Sequence, residues 1–223
     1  MFEYDRFLYP LLLSLRVATL ATLAAGVLGL AIAHLLAKGR FWGKEAIDVL
    51  VTLPLVLPPV VTGYLLLVLL GKQGPLGAAL AQVGIHVLFT WQAAVIAATA
   101  AALPFMVKTS RAALEEVDPE LEITAHLLGY GRWGTFWHVS LPLARRGIIA
   151  GLVLSFARAL GEFGATLMLA GNTPGRTNTL ALEIYAASES GETGRVWLLV
   201  VALILVSFVI LYTANRLTAR DPR

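Results

Sequence analysis

Two charged side chains stand inside an otherwise apolar stretch and are the first candidates for chemistry. Arg158 and Glu162 are four residues apart, so on a continuous helix they share one face and can form an ion pair. A charge inside a membrane is costly and usually faces a bundle interior or a water-filled cavity. We interpret the pair either as a positive site offered to an anion or as a mutually neutralised structural pair.

Prolines in another apolar stretch indicate a bent helix. Pro54, Pro58 and Pro59 lack the backbone N–H that a helix needs, and each clashes with the preceding turn. Carbonyl groups freed in this way at membrane depth need protein or a water-filled cavity to satisfy them. We predict that this helix bends and lines a pathway together with Thr62, and a passive kink packed against its neighbours is the alternative.

The sequence lacks the patterns typical of enzymes and metal sites. It contains neither Gly-x-Ser-x-Gly nor His-Glu-x-x-His, and it has no cysteine. The stretch from Gly39 to Lys44 is one residue short of a phosphate loop, and Glu45 follows where Ser or Thr must hold magnesium. We predict no catalytic residue, no metal site and no cofactor in this chain. The histidines lack ligand spacing and are interpreted as structural or interfacial: His34, His86, His126 and His138.

Composition indicates that membrane-spanning helices carry these residues. Of the 223 residues, 58% are hydrophobic and 14% are charged, whereas soluble domains have about 45–50% and about 25%. About 20 apolar residues in a row can cross a bilayer. We predict an all-α integral membrane protein with one domain over residues 1–223. Its five spans lie at about 11–37, 46–70, 84–107, 146–170 and 196–215, and the short piece 75–83 is interpreted as an interfacial or re-entrant helix.

Residues 118–142 form the longest polar interruption of the apolar sequence and are predicted to contain two short helices. Asp118 is a suitable N-cap for the first helix, and Gly129 suits a left-handed turn at its end. A second amphipathic piece follows over 132–139, before Leu141-Pro142 opens the next apolar span. Such an element between two spans needs a protein partner or a membrane surface.

The spacing of four residue types in this loop carries a family resemblance. The pattern Ala125, three residues, Gly129, nine residues, Val139-x-Leu141-Pro142 resembles the cytoplasmic signature loop of ABC-importer permeases. In that family the loop reads Glu-Ala-Ala, three residues, Gly, nine residues, Ile-x-Leu-Pro, and it docks into a cleft on the ATPase subunit. The resemblance implies a type I ABC-importer fold in which these residues and Glu122 couple the permease to the ATPase.

The front of the loop departs from the family pattern. Ile123 and Thr124 stand where the family has Glu and the first Ala, and Glu122 is displaced by one residue, about 100° around the helix. The resemblance implies that Ala125 allows tight docking on the ATPase. It also implies that the Gly of the motif makes the turn and that its Leu-Pro sets the start of the fourth span.

With this loop taken as internal, the basic residues lie mainly on one side of the predicted spans. Outside segments hold Arg6, Lys72, Arg176 and Arg195. Inside segments hold Lys38, Arg40, Lys44, Lys108, Arg111, Arg132, Arg145, Arg146, Arg216, Arg220 and Arg223. This bias predicts a multi-pass plasma-membrane protein with its N-terminus outside and its C-terminus in the cytoplasm. It also explains the high isoelectric point without a nucleic-acid partner.

Two further stretches of the sequence indicate one type of ABC-importer permease. Residues 53–77 and 156–185 are similar to the permease of molybdate ABC importers, and with the loop the similarity extends from about residue 10 through nearly the whole chain. It implies a homodimeric pore in the lipid bilayer, two ATPase subunits that bind ATP and Mg, and an external oxyanion-binding protein. Sulfate and tungstate permeases share this plan and remain alternatives.

Two other classes of protein stay open. A proton-coupled transporter needs ionisable residues along its pathway, and the spans offer only Arg158 and Glu162 for that role. A channel or a membrane-assembly protein works without any ATPase. Co-purification with an ATPase distinguishes the ABC permease from both.

Overall fold

The computed structural model describes residues 2–218, and every regular element in that range is helical. Met1 and residues 219–223 lie outside it, so the predicted positions of Arg220 and Arg223 concern residues beyond the described range. In chain order the helices are α1 Phe2–Lys38, α2 Lys44–Val56, α3 Pro59–Leu70, α4 Pro75–Gln82, α5 Trp91–Glu115, α6 Pro119–Leu127, α7 Arg132–Thr135, α8 Leu141–Leu160, α9 Gly164–Ala170, α10 Leu180–Glu189 and α11 Thr193–Thr218. A π-helical turn, Phe136–Ser140, joins α7 to α8.

Four helical stretches within the described residues are long and apolar enough to cross a bilayer: Phe7–Lys38, Trp91–Glu115, Arg132–Leu160 and Thr193–Ala214. A fifth crossing arises if α3 and α4, which bend by 44° at the break between them, act together. The all-α prediction is confirmed, and this number of crossings is compatible with the five predicted spans. The short piece predicted at 75–83 is α4.

The second predicted span, 46–70, is two helices rather than one. α2 ends at Val56 and α3 begins at Pro59, with Leu57 between them in an extended conformation at φ −72° and ψ 139°. A residue that precedes a proline is disfavoured in the α region, and a proline is well placed as the first residue of a helix. The predicted bend is therefore a complete break at Pro58.

The third predicted span, 84–107, is displaced along the chain. Its helix α5 begins at Trp91, because Thr90 caps it by accepting a hydrogen bond from the amide of Ala93 at 3.3 Å, and it continues to Glu115. The residues before Thr90 include a positive φ of 75° at Gly84, which a helix cannot accommodate.

The fourth predicted span, 146–170, differs at both ends. Its helix begins at Arg132 and runs through the π-helical turn to Leu160, so Leu141-Pro142 lies inside a helix and does not set the start of the span as predicted. A proline clashes with the carbonyl one turn earlier, and the wider π turn that precedes Pro142 makes room for it. A second break, Gly161–Phe163, then separates α8 from α9.

Small side chains hold the centre of the bundle together. α1 packs along α5, and α5 packs along α8. The contact between α1 and α5 is lined by alanines with no exposed surface: Ala18, Ala21, Ala25, Ala93, Ala94, Ala97, Ala98 and Ala102. Lipid provides no hydrophobic drive for helix association, so close backbone approach across small residues stabilises such contacts.

An ion-pair cluster fastens α2 to α5. None of the residues of α2, all of them described, is buried. Asp48 on α2 instead accepts hydrogen bonds from Nζ of Lys108 at 2.7 and 2.9 Å and lies 3.2 Å from Nη1 of Arg111. Charge rather than apolar packing therefore positions the helix that precedes the proline break.

Candidate coupling loop and membrane pathway

The loop at 118–142 begins with a helix whose two ends are capped as the sequence predicts. The carboxylate of Asp118 accepts a hydrogen bond from the amide of Glu120 at 2.9 Å. At the other end Gly129 has φ 91°, and its amide donates to the carbonyl of His126 at 3.0 Å. The amide of Tyr130 donates to the carbonyl of Ala125, also at 3.0 Å. These two bonds form a Schellman motif, which fixes the direction in which the chain leaves α6.

The inner face of α6 is fastened to the rest of the chain. Glu122 lies 2.9 Å from Nζ of Lys38 at the end of α1, and it accepts a hydrogen bond from the hydroxyl of Ser140 at 2.6 Å. Ala125, one turn further on, is only 5% exposed on the side of α6 that packs against α7 and the π turn. Both residues were predicted to couple the chain to an ATPase, and that role stays a prediction. In the structure they face their own chain, where they support α6.

The outer face of the loop is apolar and uncovered. Leu127 is 83% exposed and Trp133 is 73% exposed. They belong to a set of exposed apolar side chains on α6, α7 and the turns that follow them: Leu121, Ile123, Leu127, Leu128, Trp133 and Trp137. Large apolar side chains left exposed outside the membrane spans favour a protein or membrane contact. Sequence reasoning missed these residues, although their alternation with Glu122 and Ala125 around a 3.6-residue turn is the signal that could have found them.

The two breaks in the membrane helices lie against each other. A Cβ added at Gly164, the first residue of α9, would come within 3.0 Å of Pro59 Cβ and 3.3 Å of the amide nitrogen of Val60. A Cβ added at Gly63 would come within 2.7 Å of Ala165 Cα. Residues that the sequence placed in separate spans are thus brought together, with α3 and α9 in backbone contact.

Glu162 occupies the second break and joins its two sides. It follows the end of α8 instead of continuing that helix, yet its Oε2 lies 2.6 Å from Nη2 of Arg158. Its Oε1 accepts a hydrogen bond from the amide of Ala165 at 2.8 Å, which caps α9. Glu162 is 3% exposed, and both of its oxygens face partners inside the chain. Of the two predicted interpretations, this geometry favours the structural pair.

The other pathway candidates differ in exposure. Pro58 and Pro59 are exposed at the first break, whereas Pro54 is half-buried inside α2. Thr62 is 8% exposed, and its buried hydroxyl has no hydrogen-bond partner among the residues that the structure describes. An unsatisfied buried hydroxyl beside a helix break is a polar group left available to a visiting ligand or water.

Acidic and imidazole groups do not converge on a metal site. Within residues 2–218, no three His, Asp or Glu side chains come together in a way that could hold an ion. His126 bonds to the carbonyl of Tyr130 at 2.9 Å, and His34 packs its ring on Phe136 at 4.5 Å between centroids.

The contact between α3 and α9 makes a testable prediction. Gly63→Val should reduce the free energy of unfolding by about 1–3 kcal/mol, because a side chain there meets the backbone of Ala165 and overpacks the contact. Denaturant unfolding in detergent measures this change. Gly194→Val is the matched control, since nothing lies within 4 Å of a Cβ at that helical position. Equal stability of the two variants would contradict the close contact.

The sequence matches a known family of membrane proteins. Residues 25–220 match the family described as binding-protein-dependent transport system inner membrane component. The chain belongs to this family and is therefore a membrane component of a transport system that works with a binding protein, not an enzyme.

Particular relatives extend this result. The molybdenum transport system permease protein ModB of Escherichia coli (strain K12) is 46% identical over 204 residues, covering 89% of each chain. The sulfate transport system permease protein CysT of the same organism is 35% identical over 206 residues, covering 92% of this chain and 74% of that protein. The fold is similar to a bacterial alginate ABC transporter in complex with a pentasaccharide-bound periplasmic protein, with a TM-score of 0.77, 20% identity and coverage of 96% and 79% of the two chains.

Proposed function

We propose that the chain is the membrane subunit of an ATP-driven importer of molybdate, and that two copies form the pathway. In this assembly two ATPase subunits, which bind ATP and Mg, lie below the pair, and an oxyanion-binding protein docks above it. The observation that carries the proposal is a capped, internally fastened loop with an apolar outer face, in a chain 46% identical to a molybdenum permease. No residue of the chain has a catalytic role.

The mechanism that we propose is alternating access. Closure of the ATPase dimer on ATP pushes the outer face of α6, where Leu127 and Trp133 are exposed. The ion pair between Glu122 of α6 and Lys38 of α1 transmits this push to α1. The unbroken helix from Arg132 to Leu160 transmits it to the break at Glu162 and so to α3. ATP thus distinguishes the two states of the pathway, as any effector of a conformational change must.

The roles of individual residues follow from their positions. Gly129 permits the turn after α6, and Ala125 lets α6 lie close to α7. Pro58 and Pro59 create the break through which the pathway opens, and the free hydroxyl of Thr62 lies near it. Arg158 is held by Glu162 and keeps the second break in place.

The orientation that we propose places the coupling loop in the cytoplasm, with the N-terminus outside and the C-terminus inside. It is supported by the basic residues near the loop side of the spans, which include Lys38, Lys44 and Lys108. A membrane face rich in Lys and Arg is the cytoplasmic face in most multi-pass proteins.

The function is tested by ATP hydrolysis in liposomes that hold the chain, its ATPase and its binding protein. We expect molybdate, and tungstate as a tetrahedral oxyanion of nearly the same size, to stimulate hydrolysis at low concentration, whereas the smaller sulfate does not. Stimulation by sulfate alone would keep the mechanism and replace the substrate, a result that the 35% identity to CysT makes a defined alternative. No stimulation by any of the three anions in an intact complex would contradict the substrate class.

The same liposomes separate the other transporter classes. A proton-coupled carrier would lose uptake when a protonophore collapses the proton gradient, and Glu162→Gln would stop it. An ATP-driven importer keeps its uptake with the protonophore present, because its energy comes from the ATPase. A channel or an assembly protein would show no dependence on ATP in either condition.

A further inference from the structure

A cavity of about 560 Å³ opens between the end of α1 and the coupling loop. Its wall is formed by the last turn of α1, by Glu122 and His126 of α6, and by the start of the helix that follows. The proposed import mechanism uses the Glu122–Lys38 contact in this wall but assigns no ligand to the space itself.

The cavity is rich in positive charge. Three cations line it, Lys38, Arg40 and Arg132, against the single carboxylate of Glu122. Lys38 already neutralises Glu122 at 2.9 Å. The guanidinium groups of Arg40 and Arg132 form no ion pair or hydrogen bond with any residue that the structure describes. Two unpaired guanidinium groups facing one cavity favour an anion, and their planar donors match the oxygens of a phosphate.

An unpaired imidazole nitrogen also lines the cavity. Nδ1 of His34 is buried and has no partner within the described part of the chain. Buried polar atoms in native proteins are nearly always paired, so an unpaired one that lines a cavity indicates a ligand or water. The rest of the wall near His34 is apolar, with Leu35 and Phe136. The cavity therefore offers cations at its mouth and a mixed polar and apolar interior.

The cavity lies at the end of a membrane span. Its cationic wall begins where the first membrane span, Phe7–Lys38, ends. The turn that follows exposes Phe41 and Trp42, of which Trp42 is fully exposed, and α2 then begins at Lys44. Aromatic and basic residues of this kind mark the membrane–water interface, and basic pockets between helices on the cytoplasmic side hold anionic headgroups.

We propose that this cavity binds a phosphate group, presented by an anionic phospholipid or free in solution, with Arg40 and Arg132 as its principal ligands. Lys38 and the imidazole of His34 provide further contacts. Binding at this site requires neither the ATPase nor the binding protein. Its test is therefore independent of which anion is transported.

The test uses the full chain and two probes. Native mass spectrometry counts phosphatidylglycerol retained against excess phosphatidylcholine. Thermal unfolding in phosphatidylcholine nanodiscs compares inorganic phosphate with chloride at equal ionic strength. The Arg40→Gln and Arg132→Gln variants should each weaken the effective probe by about tenfold, the loss expected for one charge-assisted contact. A response to phosphatidylglycerol alone assigns the lipid as the source, and a response to phosphate alone assigns the free anion.

Two further variants make the result decisive. Arg145→Gln is the matched control, since Arg145 is an exposed arginine of α8 that does not line the cavity, and it should bind like the parent chain. Glu122→Gln removes the only carboxylate of the wall and frees Lys38, so it should bind more tightly, a gain that misfolding cannot imitate. Binding of neither probe, an equal loss in Arg145→Gln, or weaker binding in Glu122→Gln would overturn the proposal.

Discussion

Ala125→Arg should reduce ATP-dependent oxyanion uptake to background while the protein still inserts into the membrane. Ala125 is 5% exposed on the inner face of α6, so a long charged side chain there has no space and no acidic partner beyond Glu122, which Lys38 already holds. α6 must then leave its place on α7, and the apolar outer face leaves with it. Insertion is unaffected because α6 lies outside the spans. Uptake per inserted chain, measured in membrane vesicles, checks the prediction.

Ala125→Ser is the control for this change, since a hydroxyl adds little volume and can bond to a carbonyl of its own helix. It should retain most of the uptake. Uptake at the parent level in Ala125→Arg would mean that the position of α6 on its own chain does not matter for coupling. Uptake lost equally in both variants would mean that the site tolerates no change, which the packing around Ala125 does not predict.

Glu162→Leu should lower the free energy of unfolding by about 3–5 kcal/mol, the range found when one partner of a buried ion pair is removed. The carboxylate is almost wholly buried, and Arg158, about a quarter exposed, would remain in the membrane region without its partner at 2.6 Å. The cap on the amide of Ala165 would be lost as well. Reversible unfolding in mixed micelles measures the change.

The double variant Arg158→Leu with Glu162→Leu separates the two contributions. It removes the unpaired charge, so it should recover part of the stability, and the remainder reports the lost cap on α9. Glu162→Gln keeps an acceptor for that amide and should cost less than Glu162→Leu. A double variant no more stable than Glu162→Leu would show that Arg158 does not depend on the pair.

The parts of this structure that depend on local chemistry are predictable from the sequence. Asp118 and Gly129 fix the ends of α6 through contacts within five residues, and the apolar runs give the long helices. Contacts between distant residues are not predictable in this way. The contact between Gly164 and Pro59 joins residues more than 100 positions apart, and no pattern in the sequence around either residue predicts it.

Two expectations that came from the family resemblance differ from the local structure for physical reasons. Leu141-Pro142 was expected to set the start of the fourth span, but the π turn before it lets the helical stretch run on from Arg132. The resemblance implies that Ala125 allows tight docking on the ATPase, and that role stays a prediction. In the structure the close contact of Ala125 is with its own chain, and large apolar side chains of α6 are exposed instead.

The uninterrupted run from Arg132 to Leu160 has a mechanical consequence. Its 29 residues form a rod about 43 Å long, at about 1.5 Å per residue. If one end is held, a tilt of about 5° moves the other end of a helix of this length by about 4 Å. This displacement is larger than the diameter of an oxygen atom. A small rotation at the coupling loop is thus amplified by leverage into an opening of useful size at the second break, without any residue in the rod changing its conformation.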